Sequence, residues 1–115
     1  MTFEDLTAIL LTWDLVEPGT SYGTPSFKVR GKLLTRLKED GDSLLIKSVP
    51  PEERAMLVEA SPDLYYFTDH YRDYPMVLIR LSHADPDVVT ALLMRTYRNL
   101  LPKKHRQTID STGAG

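Results

Sequence analysis

The chain reads as an α+β domain. It is a two-layer sandwich in which an antiparallel sheet carries the N- and C-terminal helices on one face. Three observations lead there. Helical periodicity is confined to the two ends and one short central stretch. The intervening segments alternate apolar and polar residues at strand period. Glycine-bearing dipeptides, Arg30-Gly31 and Asp40-Gly41, separate those segments at hairpin spacing. The predicted order is α-β-β-β-α-β-β-α.

Thr2 followed by Asp5 is a helix start, with the Thr2 hydroxyl positioned to cap an exposed N–H. Leu6, Ile9, Leu10 and Trp13 then recur at helical spacing as a core-facing stripe, and Pro18-Gly19 is the predicted stop. A short extra strand is expected near residues 20–22. Strands follow over residues 25–30, 33–38 and 43–49. Asp40-Gly41 predicts a two-residue type I′ turn, because both central positions need positive φ. That register sets Leu37 opposite Leu44 and Thr35 opposite Ile46.

A two-residue loop at Arg30-Gly31 would send Leu33 and Leu37 to the face opposite Phe27 and Val29. A one-residue slip moves every side chain to the other face. Burial should therefore select either a three-residue loop, Val29-Arg30-Gly31, or a bulge. Pro50-Pro51 opens a short helix over residues 52–60, carried by a weak stripe of Ala55, Met56 and Leu57 and ended by Ser61-Pro62. Residues 64–68 and 76–81 are two further strands. The second is apolar on both parities from Met76 to Ile79, as a central strand covered on both faces would be. Asp85-Pro86 caps and starts the last helix. Its stripe is Val88, Val89, Leu92, Leu93, Thr96, Tyr97, Leu100 and Leu101, and Pro102 ends it. The ordered domain spans residues 1–102, and residues 103–115 are expected to form a flexible tail.

The 115 residues fit one domain, and 42% hydrophobic with 26% charged residues is the make-up of a globular chain. The absence of cysteine excludes disulfides, zinc–thiolate sites and cysteine nucleophiles, and suits a cytoplasmic location. Residues 1–15 lack the basic start and small-residue cleavage site of a secretory leader. No apolar run is long enough for a membrane span, so no membrane partner is expected.

The register argument creates a second face. With Phe27, Leu33, Leu37, Leu44 and Ile46 toward the helices, the opposite side carries Lys28, Arg30, Leu34, Arg36, Lys38, Leu45 and Lys47, joined by Arg80. Such a basic face on a chain of net charge −2 either contacts phosphates or is an ordinary solvated sheet face whose lysines discourage edge pairing. For phosphate contact the named residues are Lys28, Arg30, Lys32, Arg36, Lys38 and Arg80. Leu34 and Leu45 sit oddly among these cations. Either cationic stems cover them, or they touch a second copy or another protein.

Residues 65–74 hold half of the chain's tryptophan, tyrosine and phenylalanine residues. With His70, Tyr71, Arg72 and Tyr74 they could stack on a base or a flat small molecule, or simply bury rings against the core. His70, His83 and His105 lack metal-ligand spacing, and no cofactor or metal is expected. No nucleophile motif, P-loop or dinucleotide fingerprint occurs, so the expectation is a non-enzymatic protein. Lys103-Lys104-His105-Arg106 is a short basic cluster that complements the last helix's C-terminal dipole or adds phosphate contacts.

The run Tyr22-Gly23-Thr24-Pro25-Ser26-Phe27-Lys28-Val29, followed by Gly31-Lys32 and Asp42-Ser43-Leu44, resembles the MmcQ/YjbR family. So do Tyr71 and Tyr74-Pro75-Met76-Val77-Leu78-Ile79-Arg80-Leu81. The resemblance covers residues 1 to about 102 and implies a frataxin-like fold. Members are named as DNA-binding because two β-hairpins are thought to act as wings. Mapped here, the wings are the Arg30-Gly31 and Asp40-Gly41 hairpins, the second of which carries Glu39, Asp40 and Asp42 at its tip. The leading expectation is a small cytoplasmic binding protein, with DNA as its partner through the basic sheet face, and through hairpin wings as the resemblance implies. The alternatives are a protein-interaction module or homodimer, and a small-molecule binder or enzyme at His70, Arg72 and Tyr74.

Overall fold

The computed structural model describes residues 1–104. Its elements are α1 (Phe3–Leu10), β1 (Val16–Ser21), β2 (Thr24–Val29), β3 (Lys32–Arg36), β4 (Ser43–Lys47), α2 (Pro51–Ala60), β5 (Tyr65–Tyr66), β6 (Met76–Arg80) and α3 (Pro86–Leu100). Short 3-10 turns cover Asp69–Tyr71 and Leu81–His83. The two-layer α+β architecture is present. Leu6 and Leu10 of α1 and Val89, Leu93 and Tyr97 of α3 pack with Phe27, Val29, Leu44, Ile46, Val77 and Ile79 of the strands in one core. The tail expected from Lys103 onward lies, beyond Lys104, outside the described residues.

The caps follow the sequence. Thr2 accepts from the Asp5 amide at 3.1 Å, and Asp5 accepts from the Thr2 amide at 3.0 Å. Asp85 accepts from the Asp87 amide at 2.9 Å, with Pro86 opening α3. The first helix is shorter than predicted. It ends at Leu10, and Pro18-Gly19 lies inside β1 rather than stopping a helix. β1 pairs only with β2, so Pro18 sits on an edge strand, where its missing N–H disturbs no ladder. Trp13 still packs inward, with its ring 4.8 Å from that of Tyr97.

The sheet is divided. One three-stranded sheet runs β1-β2-β3 and the other β4-β6-β5, with β6 central and buried from Met76 to Ile79 as its composition required. A single bridge, Leu37 to Leu44, joins them. The predicted Leu37–Leu44 register is therefore correct, but the ladder stops there and Thr35 does not pair with Ile46. The turn also differs from the type I′ expected at Asp40-Gly41. The Gly41 amide donates to the Lys38 carbonyl at 3.0 Å, and only Gly41 takes positive φ. Asp40 holds this turn by accepting from the Asp42 and Ser43 amides at 2.9 and 2.8 Å. Partial burial raises its carboxyl, but these bonds and the Ser43 hydroxyl outweigh that and keep it below its ordinary range.

At Arg30-Gly31 the parity problem is solved by a bulge, not by the three-residue loop. Arg30 and Gly31 have φ of 54° and 81°, a two-residue type I′ turn that pairs Val29 with Lys32. Between Lys28–Leu33 and Phe27–Thr35 the register shifts by one residue, leaving Leu34 without a partner. The two-residue turn puts Leu34 on the same side as Phe27, so it is 0% exposed and belongs to the main core, not to the basic face. Leu33 takes the opposite side. Leu34 is thereby removed from the residues a partner could touch.

Candidate binding cleft at the fork of the two sheets

Beyond the Leu37–Leu44 bridge, β3 and β4 splay apart, and their backbone groups need other partners. Two side chains supply them. The Thr35 hydroxyl donates to the Leu45 carbonyl at 2.6 Å, and the Lys47 ammonium donates to the Leu33 carbonyl at 3.2 Å. The face turned away from α1 and α3 carries a small second cluster of Leu45, Met76 and Leu78, with Leu33, Tyr66 and Tyr71 against it. An open cleft of about 460 Å³ lies at this fork. Its floor is Leu33, Leu45 and Met76. The rest of its lining comes from Tyr22 in the β1–β2 turn, Lys47 and Ser48 at the end of β4, and His70, Tyr71, Tyr74 and Pro75 in the segment before β6.

Each wall has a local cause. Tyr22 precedes Gly23 in the β1–β2 turn, and both take positive φ, 54° and 79°. This is a second type I′ turn, with a tyrosine where asparagine is the favoured residue. The turn holds the Tyr22 ring 84% exposed, 5.0 Å beneath the Arg36 guanidinium. The aromatic segment before β6 is set by Arg54, the only buried residue of α2. Met56, expected in the apolar stripe of that helix, is exposed instead. Arg54 is 4% exposed. Its Nη1 donates to the carbonyls of Tyr71, Tyr74 and Met76 at 3.1, 2.9 and 3.1 Å. Its Nη2 donates to the Arg72 carbonyl at 2.7 Å, and its guanidinium stacks 3.9 Å from the Phe67 ring. One buried cation thus organises the whole turn that carries the cleft's aromatic wall. Its sequence context, an arginine in a helix of low apolar content, marks it as a surface residue, so no local signal reveals it.

The predicted phosphate contacts separate into two groups. Arg36 is only 6% exposed. It donates to the Thr24 hydroxyl at 3.1 Å and lies 3.6 Å from Glu39. Lys38 donates to the Tyr71 hydroxyl at 2.8 Å and lies 3.9 Å from the same glutamate. Arg80 stacks 4.1 Å from the Tyr66 ring and reaches the Pro62 and Asp63 carbonyls at 3.3 Å. These three cations are structural partners rather than a solvated stripe. Lys28, Arg30 and Lys32, in and beside the β2–β3 hairpin turn, make no ion pair among the described residues, and Arg30 and Lys32 are exposed. The second hairpin is not a free wing. Asp42 accepts from the Ser82 amide and hydroxyl at 2.8 and 2.7 Å, which ties that turn to the end of β6.

Among the ligand candidates, His70, Tyr71 and Tyr74 meet at the cleft, and Leu45 forms part of its floor. His70 stands edge-on to Tyr71 with ring centroids 4.8 Å apart. Arg72 does not line the cleft. It pairs with Asp69 at 2.7 Å on the exposed side of the turn. Tyr22, Leu33 and Lys47 complete the site and were not candidates from sequence. The positive-φ Tyr-Gly pair was the one signal that could have drawn attention to Tyr22. No group of three or more metal-binding side chains is present among the described residues.

Fold and cleft together define a small α+β domain of two three-stranded antiparallel sheets with an aromatic-walled cleft where they part. The YjbR family model matches residues 11–99, and the chain belongs to the YjbR family. The resemblance carried by residues 22–29 and 74–81 is thereby borne out. The structure is similar to the crystal structure of Deinococcus radiodurans protein DR2400, described with domain DUF419. The TM-score is 0.72 at 20% identity, covering 95% of this chain and 88% of that one. No curated protein matches the chain. No helix among the described residues is long and apolar enough to cross a membrane.

Proposed function

We propose that this protein is a non-enzymatic binding protein whose ligand occupies the cleft at the sheet fork. One observation carries this reading: exposed aromatic rings converge over an apolar floor in an open cavity of about 460 Å³. That is the size and lining typical of small-ligand sites, which run from about 300 to 1,000 Å³. The lining groups favour binding over chemistry. Lys47 is bonded to a backbone carbonyl, and the Ser48 hydroxyl is paired with that of Thr96 at 3.0 Å. Titration with indole, a flat uncharged probe, should move the amide NMR signals of Leu33, Leu45, Tyr71 and Met76 saturably. Tyr22→Asn installs the residue that the turn prefers, so it should keep or raise the melting temperature while weakening the probe about fivefold. Indole that leaves those amides unmoved would sink the reading.

A second reading, DNA binding, is favoured by a different observation. Lys28, Arg30 and Lys32 cluster at the β2–β3 hairpin and make no ion pair among the described residues, with Glu17 across the β1–β2 ladder from Lys28 as the acid opposite them. With Arg36, Lys38 and Arg80 engaged elsewhere, about three phosphates would be contacted. The logarithm of the binding constant should then fall with the logarithm of salt at a slope of about −2.7. Anisotropy of labelled duplex and single-stranded DNA measures this slope. Arg30→Glu with Lys32→Glu should abolish the binding, and unchanged affinity would remove this reading.

A further inference from the structure

We propose that the cleft takes a flat aromatic ring bearing a negative charge, the chemistry shared by a nucleoside monophosphate and an aromatic carboxylate. This rests on the reading of the cleft as a ligand site. The ring half follows from the walls. Tyr22, Tyr71 and Tyr74 contribute aromatic rings to a lining that also holds the apolar Leu33, Leu45 and Met76. Tyr74 is 58% exposed, so its ring has unfilled contact surface. A planar ligand satisfies such surfaces by stacking, which an aliphatic one does not.

The charge half follows from what surrounds the rings. Among the described residues, no aspartate or glutamate lines the cleft. Lys47 does, and its bond to the Leu33 carbonyl uses one of three ammonium donors, leaving two. Arg36 and Lys38 stand behind Tyr22 and Tyr71. The acid paired with them, Glu39, is exposed and serves both at 3.6 and 3.9 Å. Three cations thus face one screened carboxylate, on a chain whose net charge is −2. In a cleft with low-dielectric walls that excess attracts an anion and repels a cation. Tyr71 experiences the same field. Burial alone would raise its phenol, yet the Lys38 hydrogen bond and the charges of Lys38 and Arg36 hold it below its ordinary value. While protonated, its hydroxyl accepts from Lys38 and keeps its own proton to donate to an anion.

The test is an amide NMR titration of the full chain with five probes: adenosine monophosphate, adenosine, indole carboxylate, indole and inorganic phosphate. At least one anionic ring should bind at the cleft amides about tenfold more tightly than its uncharged counterpart, and Lys47→Gln should remove that preference. Which anion shows the preference separates phosphate from carboxylate as the source. Raising salt should shrink the preference in the unaltered chain, an independent check if Lys47→Gln disturbs folding. Equal affinity for charged and uncharged rings would overturn the proposal and leave the cleft reading standing. Inorganic phosphate binding there as tightly as the nucleotide would overturn the ring half. Silence from every ring compound would overturn proposal and cleft reading together.

Discussion

Replacing Arg54 with methionine should destabilise the protein by about 3 kcal/mol. The estimate rests on hydrogen bonds from a charged donor, worth about 1.5–3 kcal/mol each, and on the cost of leaving buried carbonyls unpaired. Four carbonyls, those of Tyr71, Arg72, Tyr74 and Met76, take their donors from this one guanidinium. Methionine fills much of the volume and removes the desolvation cost of the charge. It offers no donor. The carbonyls nearest the surface can turn to water, so the loss stays well below the sum of four bonds. Arg54→Lys should recover about half, because an ammonium has three donors but neither the planar fork nor the stacking on Phe67. Urea unfolding measures the stability. Amide exchange should also show residues 70–75 opening faster than the rest of the chain, since this side chain holds that turn. A stability loss below about 1 kcal/mol, or protection unchanged in that turn, would contradict the role.

Leu34→Ala is expected to be comparably damaging, by about 3 kcal/mol, as for other large-to-small changes in a closed core. Leu33→Ala should cost about 1 kcal/mol, because Leu33 is half-buried at the cleft floor. The contrast between neighbours is diagnostic of the two-residue turn. A three-residue loop would set Leu33 opposite Phe27, so Leu33 would enter the core and Leu34 would face the cleft side. The two-residue turn pairs Lys28 with Leu33 and leaves Leu34 on the helix-facing side with Phe27, and the bulge after it brings Leu37 to that side as well. Thermal or urea melts of the two variants distinguish the arrangements. Equal costs would contradict the two-residue turn and its register.

Much of the fold was legible because it rests on local patterns. The Thr2–Asp5 and Asp85–Pro86 starts are short-range hydrogen-bond motifs, readable over four residues. Five of the stripe positions within α3, Val89, Leu92, Leu93, Thr96 and Tyr97, are buried as their spacing requires. Met76 to Ile79 could only be a strand covered on both sides. The conflict at Arg30-Gly31 was also visible. Parity alone demanded a correction, though not whether the loop or the strand would supply it.

The candidate site was legible only in part, and the reason is physical. Alternation assigned Lys28, Arg36, Lys38, Lys47 and Arg80 to one face correctly. It could not say that Arg36, Lys38 and Arg80 would be occupied by Thr24, Tyr71 and Tyr66. Such partners come from strands and turns remote in sequence, and a cation's availability depends on them. Arg54 was invisible for the same reason, since its four acceptors lie 17 to 22 residues away.

By itself, then, the sequence determined the class of fold, the order of its elements apart from the full extent of β1, the caps and the central strand. Each of these follows from periodicity or from contacts within a turn. Only the tertiary structure decided where the sheet divides, which leucine enters the core and which cations stay free. Those outcomes are settled by burial and hydrogen-bond satisfaction between segments far apart in the chain.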